Sequence, residues 1–131
     1  MKTLVTGVAG FIGSNLARKL LEQGDVVVGL DDYSTGRRSN TERLIGLGRD
    51  FRFIEGDIRD PEALAVAIAG VDCIVHLAAQ VSVQKSIDDA VDNDAVNVGG
   101  FVSLVDAAVK AGIPKLIYAS SCAVYGENPK L

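Results

Sequence analysis

A glycine-rich turn near the start of the sequence constrains this chain more than any other feature. Gly7, Gly10 and Gly13 stand between a short apolar run and an amphipathic stretch. Glycines at such positions permit a tight turn and let the backbone approach a ligand closely. Free N–H groups and the helix dipole then favour an anion such as a pyrophosphate. The turn therefore predicts a strand–turn–helix unit that binds a dinucleotide, and a plain strand-to-helix turn is the alternative that the glycines alone leave open.

Short β-branched runs alternate with amphipathic stretches along the rest of the chain. The runs predict strands at residues 2–6, 26–30, 51–55, 73–78 and 115–120, and the stretches predict helices at 11–23, 41–47, 61–69 and 86–111. Strands that alternate with helices form parallel βαβ units with right-handed crossovers. We therefore predict one α/β domain over residues 1–131, a Rossmann-type doubly wound parallel sheet with strand order 3-2-1-4-5.

A glycine pair interrupts the last predicted helix. Gly99 and Gly100 should each cost about 1 kcal/mol relative to alanine at these positions. Such a pair indicates that another backbone or a ligand approaches the helix closely. A tolerated flaw in the helix is the alternative.

The composition indicates a small-molecule protein rather than a nucleic-acid or membrane protein. Apolar residues make up 48% of the 131 residues, the formal net charge is −4, and lysine and arginine form no basic patch. The first residues lack the pattern of a secretory signal, and two cysteines without one favour a reducing cytoplasm. Because the single histidine, His76, has no cysteine or histidine partner at ligand spacing, we expect no metal site.

Two acidic residues, Asp31 and Asp32, follow the second predicted strand, about 20 residues beyond the glycines. A carboxylate there can accept hydrogen bonds from the adenosine ribose and would repel a 2′-phosphate, so the sequence favours NAD over NADP. Arg37 or Arg38 would weaken that inference by folding toward the ribose. We expect instead that both are solvated, or that one touches a phosphate.

A second acidic position follows the third predicted strand. Asp57 could accept a hydrogen bond from the adenine amino group, with Ile58 packed on the ring, since the strand ends of a parallel sheet line its ligand crevice. Alternatively, Asp57 or Asp60 merely caps the next helix.

Several motifs in order resemble a known family. They are the glycine turn, Asp31, GDIRD at 56–60, HLAAQ at 76–80, NVGG at 97–100 and SSCAVYG at 120–126. Together they resemble the extended short-chain dehydrogenase/reductase family, and within it the nucleotide-sugar epimerases. The resemblance covers essentially the whole chain.

The resemblance implies a role for each motif. Asn97 would contact the cofactor side of the site or brace the fourth strand. Ser121 would be catalytic and hold the sugar hydroxyl that is oxidised. The implied substrate contacts are Ser82, Ser121, Cys122 and Tyr125. The implied cofactor contacts are the turn residues Gly7, Gly10, Phe11, Ile12 and Gly13, the adenosine loop Asp31, Asp32, Tyr33, Ser34, Thr35 and Gly36, then Asp57, Ile58, Leu77, Ala78, Ala79, Gln80, Asn97 and Ser120.

A serine alone is a poor base at neutral pH, so a second group must move the proton. In the family that group is the tyrosine of a Tyr-x-x-x-Lys pair, which has no match here: Tyr33, Tyr118 and Tyr125 are followed four residues later by Arg37, Cys122 and Pro129. We therefore expect the pair and the substrate domain to lie beyond Leu131. On that expectation the chain is an N-terminal part that binds NAD without turning over by itself.

Positions 122 and 123 favour one reaction of the family. Members that eliminate water carry an Asp-Glu pair there, whereas this chain has Cys122 and Ala123. Oxidation and re-reduction therefore fits best, as in 4-epimerisation of a UDP-hexose or a UDP-N-acetylhexosamine, and we expect Cys122 to be a buried thiol rather than a nucleophile. A related NAD(P)-dependent reductase or dehydratase and a non-catalytic dinucleotide-binding module are the alternatives.

The helix predicted over 86–111 carries surplus apolar positions, and the resemblance implies that it pairs in a homodimer.

Overall fold

A computed structural model describes residues 1–126. Five parallel strands form one sheet in the order β3-β2-β1-β4-β5, which confirms the predicted α/β fold and strand order. The strands are β1 (Lys2–Thr6), β2 (Val26–Asp31), β3 (Phe51–Glu55), β4 (Cys73–His76) and β5 (Leu116–Tyr118).

Helices cover both faces of this sheet because the strands are apolar on both faces. On one face, α1 (Phe11–Glu22) and α2 (Arg38–Gly46) pack over Val5 and Val27 through Ala17, Leu21 and Leu44. On the other face, α3 (Pro61–Ile68) and α6 (Phe101–Lys110) pack over Leu4, Val28 and Ile74 through Leu64, Ala67 and Leu104. The functional loops therefore emerge from a rigid, doubly covered sheet.

The prediction of one continuous helix over residues 86–111 is wrong. The structure divides it into α4 (Val83–Asp88), α5 (Ala90–Asp94), a π-helical segment (Ala95–Gly100) and α6. Asp89 separates α4 from α5. Its non-helical backbone ends α4, and its side chain accepts a hydrogen bond from the N–H of Asp92 and so caps α5.

The glycine pair falls at the end of the π segment. A Cβ at Gly100 would lie 2.5 Å from Cδ1 of Ile58, whereas one at Gly99 would meet only the carbonyl oxygen of Asp94, at 3.9 Å. A close approach therefore explains Gly100, but it comes from a side chain rather than from a backbone or a ligand. Nothing in the structure explains Gly99.

Three other elements differ from the prediction by two residues or more. β4 ends at His76: the N–H of Leu77 still donates to the carbonyl oxygen of Thr6, but that of Ala78 donates to the Thr6 side chain. β5 is short since it is an edge strand that pairs only with β4 over the described residues. α2 begins at Arg38, three residues before the predicted start at 41, because the N–H of Arg37 is held by the carbonyl oxygen of Ala9.

None of the helices within residues 1–126 combines the length and the apolar character that crossing a bilayer requires.

Candidate functional site

The sheet places a crevice between β1 and β4. The chain leaves β1 toward β2 on one side and continues from β3 to β4 on the other, so the two connections diverge at this point. In open parallel sheets, ligands bind outside the carboxyl ends of the strands at such a switch point. The glycine turn follows β1 and the segment 77–80 follows β4, and they form the two walls of this crevice.

The glycine turn fits so tightly that side chains are excluded. Gly7 has φ +70°, and a Cβ on it would lie 2.7 Å from the backbone nitrogen of Ala78 and 2.8 Å from the carbonyl carbon of Leu77. A Cβ on Gly13 would collide with the carbonyl group of Gly7. The turn therefore requires glycine both for its conformation and for the close approach of the two walls.

The N-terminus of α1 is open toward the crevice. The first backbone bond of the helix runs from the N–H of Ser14 to the carbonyl oxygen of Gly10, at 3.1 Å, and no side chain of the described residues caps this end. The N–H groups of Phe11, Ile12 and Gly13 precede that bond and have no partner within the helix. A negatively charged group that reaches this end would gain both these donors and the helix dipole, so the site fits a pyrophosphate.

Thr6 organises the second wall. Its side-chain oxygen accepts hydrogen bonds from the N–H groups of Leu77 and Ala78, both at 3.2 Å, and lies 2.7 Å from Nδ1 of His76. Because His76 is buried, the loss of solvation lowers the pKa of its imidazole.

Asn97 clamps the end of the same wall. Its amide accepts a hydrogen bond from the N–H of Gln80 at 2.8 Å and donates to the carbonyl oxygen of Gln80 at 3.0 Å. Asn97 thus braces the segment that follows β4, and its contact with a cofactor stays a prediction. Ser82 lies beyond the clamp, where it caps α4 by accepting from the N–H of Lys85.

Asp31 connects the glycine turn to the next loop. Its carboxylate accepts hydrogen bonds from the N–H of Ala9 at 2.9 Å and of Tyr33 at 2.8 Å. It is only 9% exposed, and burial, against the effect of these hydrogen bonds, raises its pKa. Each oxygen can still accept one further hydrogen bond, so the carboxylate fits a ribose hydroxyl group.

The loop of residues 32–36 folds over Asp31. The N–H of Ser34 donates to the Asp32 side chain, and a Cβ on Gly36 would lie 2.8 Å from the Asp31 carboxylate. Tyr33 has φ 59° and is the only non-glycine residue within 1–126 with a positive φ.

Arg38 is paired with Glu55 and stacked on Tyr33. Its guanidinium donates two hydrogen bonds to the carboxylate of Glu55, at 2.8 and 3.1 Å, and stacks 4.2 Å from the centre of the Tyr33 ring. Arg38 thus forms an ion pair with Glu55 while 63% of its side chain stays exposed.

For the segment after β3, the sequence left open whether Asp57 contacts adenine or whether Asp57 or Asp60 only caps the next helix. Asp60 caps α3 by accepting from the N–H of Glu62, whereas Asp57 is paired with Arg59 at 2.6 Å. This arginine also bridges to Asp92 at 2.9 Å, and its hydrogen bonds lower the pKa of Asp57. Ile58 is 5% exposed and packs in the core against Gly100, so little of its side chain is left for an adenine ring. Adenine contact by Asp57 or Ile58 stays a prediction.

The segment after β5 carries the predicted substrate side. Ser121 caps the 3₁₀ turn Cys122–Tyr125 by accepting from the N–H of Ala123 at 3.2 Å. The prediction that Cys122 is a buried thiol is wrong: it is exposed, because its turn lies beyond the edge strand and no described residue packs over it. Ser120, Ser121 and Tyr125 are exposed in the same way.

Within residues 1–126, no three histidine, cysteine, aspartate or glutamate side chains gather closely enough to hold a metal ion.

Sequence reasoning missed the residues that support the site. They are Thr6, His76, Arg59, Glu55 and Asn40, the last of which donates to the carbonyl oxygen of Ala9 at 2.8 Å. One signal was available, because Thr6 ends one predicted strand and His76 lies two residues before the end of another, and these strands are neighbours in the predicted order. The pairing of Glu55 with Arg38 had no comparable sequence signal.

Comparison with known proteins agrees with this geometry. The profile of the NAD dependent epimerase/dehydratase family matches residues 3–131. A UDP-glucose 4-epimerase from Mycolicibacterium smegmatis is 46% identical over an alignment of 131 positions, which covers 98% of this chain and 42% of that protein.

Two crystal structures extend the similarity to the fold. A UDP-glucose-4-epimerase from Stenotrophomonas maltophila, with bound NAD and formylated UDP-arabinopyranose, is 34% identical with a TM-score of 0.91 over 98% of this chain and 39% of that one. A dTDP-glucose 4,6-dehydratase double mutant from Streptomyces venezuelae, with bound NAD, is 40% identical with a TM-score of 0.91 over 98% of this chain and 42% of that one. The chain thus spans about two fifths of each of these three proteins. It belongs to the NAD dependent epimerase/dehydratase family.

Proposed function

We propose that residues 1–131 are the NAD-binding domain of an enzyme that epimerises a nucleotide sugar. One observation carries the proposal: three features suited to a dinucleotide meet at one switch point. These are the open N-terminus of α1, the buried carboxylate of Asp31, and a turn at Gly7 that side chains cannot enter. Relatives named as UDP-glucose 4-epimerases, crystallised with NAD, support it.

In this proposal each wall binds one part of NAD. Phe11, Ile12 and Gly13 hold the pyrophosphate through their N–H groups, next to Gly10, whose own N–H donates to the carbonyl oxygen of Gly7 at 3.1 Å. Asp31 accepts from the adenosine ribose, and Asp57 and Ile58 lie at the adenine. The remaining proposed contacts are the adenosine loop Asp32, Tyr33, Ser34, Thr35 and Gly36, and the nicotinamide side Leu77, Ala78, Ala79, Gln80, Asn97 and Ser120.

Ser121 holds the sugar hydroxyl group at the reacting carbon. Its oxygen accepts a hydrogen bond from the N–H of Ala123, so its own proton is available to a sugar oxygen. NAD, when bound, supplies reversible hydride transfer, and the protein supplies orientation and proton transfer. Ser82, Cys122 and Tyr125 complete the proposed sugar side.

A base must accompany Ser121, since a neutral serine hydroxyl removes protons poorly. None of the chain's tyrosines has a lysine four residues later. We therefore propose that residues 1–131 bind NAD, and that turnover requires a base from outside this stretch.

The side chains beside Ser121 favour epimerisation over elimination. Elimination of water needs an acid and a base beside the ring, whereas Cys122 and Ala123 offer no carboxyl group. We propose a UDP-hexose or UDP-N-acetylhexosamine as substrate and C4 as the reacting carbon. Dehydration is the second candidate, because the Streptomyces dehydratase is as similar in fold as the epimerases.

Two measurements test the proposal. Titration calorimetry on residues 1–131 should show NAD binding, and its absence would exclude the cofactor site. The product of the whole coding sequence should interconvert UDP-glucose and UDP-galactose, or their N-acetyl forms, without net release of NADH. Accumulated NADH would favour a dehydrogenase, a 4-keto-6-deoxy sugar from dTDP-glucose would favour a dehydratase, and NAD binding without turnover would favour a binding module.

Ser121→Ala tests the catalytic assignment in the same assay. The substitution should lower kcat by about 100-fold or more, whereas Ser121→Thr, which keeps a hydroxyl group, should lose less. NAD affinity should stay the same in both variants. Equal activity of Ser121→Ala and the unchanged enzyme would refute the role of Ser121.

We also propose that the helical segment of residues 95–110 pairs with a second copy of the protein. Val98, Val102 and Val109 are 55, 59 and 73% exposed on it. Exposed apolar side chains in one segment are typical of an interface. Sedimentation should show a homodimer of the complete protein, and a strictly monomeric complete protein would contradict this.

A further inference from the structure

We propose that Glu55 strengthens the preference for NAD over NADP: it holds Arg38 against Tyr33 and keeps this cation from a 2′-phosphate. The inference rests on the proposed NAD site but goes beyond it. Asp31 acts on the ribose by its own charge, whereas Glu55 would act by occupying an arginine.

The sheet register brings Glu55 beside Asp31. The two residues are paired in the β2–β3 ladder, so their side chains leave the same face of the sheet from strands about 4.8 Å apart. That face is the one covered by α1 and α2, and Arg38 is the first residue of α2. Arg38 therefore lies on the side of the sheet where Asp31 would meet the ribose.

Tyr33 connects Asp31 to Arg38. Its N–H donates to the Asp31 carboxylate at 2.8 Å, and the Arg38 guanidinium lies 4.2 Å from its ring centre. Its hydroxyl group lies 2.6 Å from the side-chain oxygen of Thr41, and its ring packs 5.2 Å from that of Phe53. These contacts hold Tyr33 at φ 59°, a conformation that costs about 1 kcal/mol or more outside glycine. The platform under Arg38 is thus imposed by the surrounding structure.

Arg38 would otherwise be the natural partner of a 2′-phosphate, because guanidinium groups bind phosphate with two parallel hydrogen bonds. In this structure Nη1 and Nη2 of Arg38 each donate to one oxygen of Glu55. A 2′-phosphate would have to displace this carboxylate, or bind the remaining N–H groups of Arg38 next to its negative charge. Removing the charge of Glu55 leaves the arginine in place and makes it available.

Glu55→Gln is the variant of choice, because it keeps the shape of the side chain and removes only the charge. Both partners are more than half exposed, so the fold should tolerate it. The ratio of the Kd for NADP to the Kd for NAD, from titration calorimetry at low ionic strength, should fall about threefold to tenfold. Asp31 remains, so NAD should still bind more tightly.

Two further variants assign the cause. Glu22→Gln removes a glutamate that lies beside Arg18 on α1, with the same change in net charge, and should leave the ratio unchanged. In the double variant that combines Glu55→Gln with Arg38→Met, the gain in NADP affinity relative to NAD should disappear. An unchanged Kd ratio in Glu55→Gln would overturn the role of Glu55 and leave the proposed function standing. A gain in relative NADP affinity that survives the loss of Arg38 would do the same. Absence of NAD binding by the unmodified chain would overturn the proposed function as well.

Discussion

The side-chain oxygen of Thr6 lies 2.7 Å from Nδ1 of His76, in the interior at the ends of two neighbouring strands. The same oxygen accepts from the N–H of Ala78 and shares the N–H of Leu77 with the Thr6 carbonyl oxygen, each at 3.2 Å. Burial favours the neutral form of His76, whose Nδ1 can then accept the threonine proton. One threonine thus joins the end of β1 to the wall that follows β4.

The first prediction removes this hydroxyl group. Thr6→Val leaves the N–H of Ala78 and Nδ1 of His76 without their partner, and a buried unsatisfied group costs about 1–3 kcal/mol. Urea denaturation should show a fall in the free energy of unfolding of about that size. Thr6→Ser keeps the hydroxyl group and should lose less. A loss in Thr6→Val that is no larger than the loss in Thr6→Ser would contradict the role of the hydrogen bonds.

The second prediction concerns pH. The folded pKa of His76 is lowered from 6.5, so below pH 6.5 the unfolded chain takes up a proton that the folded chain does not. Stability should therefore fall as the pH drops from about 7 toward the folded pKa and become independent of His76 below it. Because this is the only histidine, His76→Asn should remove the dependence in that interval. A slope that persists in this variant would contradict the assignment.

The third prediction concerns the close approach at Gly7. Gly7→Ala should cost about 3 kcal/mol, since the new methyl group meets the Ala78 backbone and the left-handed conformation is disfavoured. NAD binding should be lost as well. Gly112 is a matched control, with φ +68° and no atom within 4 Å of an added Cβ. Gly112→Ala should cost only about 1 kcal/mol in thermal or urea denaturation and leave NAD binding intact.

The fourth prediction separates the two glycines of the pair. Gly100→Ala places a methyl group 2.5 Å from Cδ1 of Ile58 and should cost about 1–3 kcal/mol. Gly99→Ala meets open space, so it should be neutral or stabilise by up to about 1 kcal/mol. Ile58→Ala removes both Cδ1 and Cγ1, which would lie 2.5 and 2.7 Å from the new methyl group, so combining it with Gly100→Ala should cost less than the sum of the two single changes. Strict additivity in denaturation would refute the contact.

Local pattern predicted much of the fold and the centre of the site. β1 and β3 have their predicted bounds, because each is a short run whose composition and flanking turn residues mark its ends. Gly7 and Asp31 follow from spacing within one βαβ unit.

What the sequence left hidden depends on contacts between distant segments. Thr6 and His76 are 70 residues apart, and Glu55 and Arg38 are 17 apart. Apolar spacing does not distinguish an α-helix from a π-helical segment, so the interruption at 95–100 was not predicted.

The π segment also makes the number of residues between α5 and α6 a structural requirement. A π turn holds an extra residue relative to an α turn, so it acts as a one-residue insertion in an otherwise continuous helix. Deleting one of these residues would restore regular α geometry and rotate the preceding part of the helix by about 100° relative to α6. That rotation would carry Asn97 away from Gln80, because the amide clamp depends on the phase of the helix. A shorter, more regular helix would therefore lose the brace on the nucleotide crevice, which sets a minimum chain length at this point.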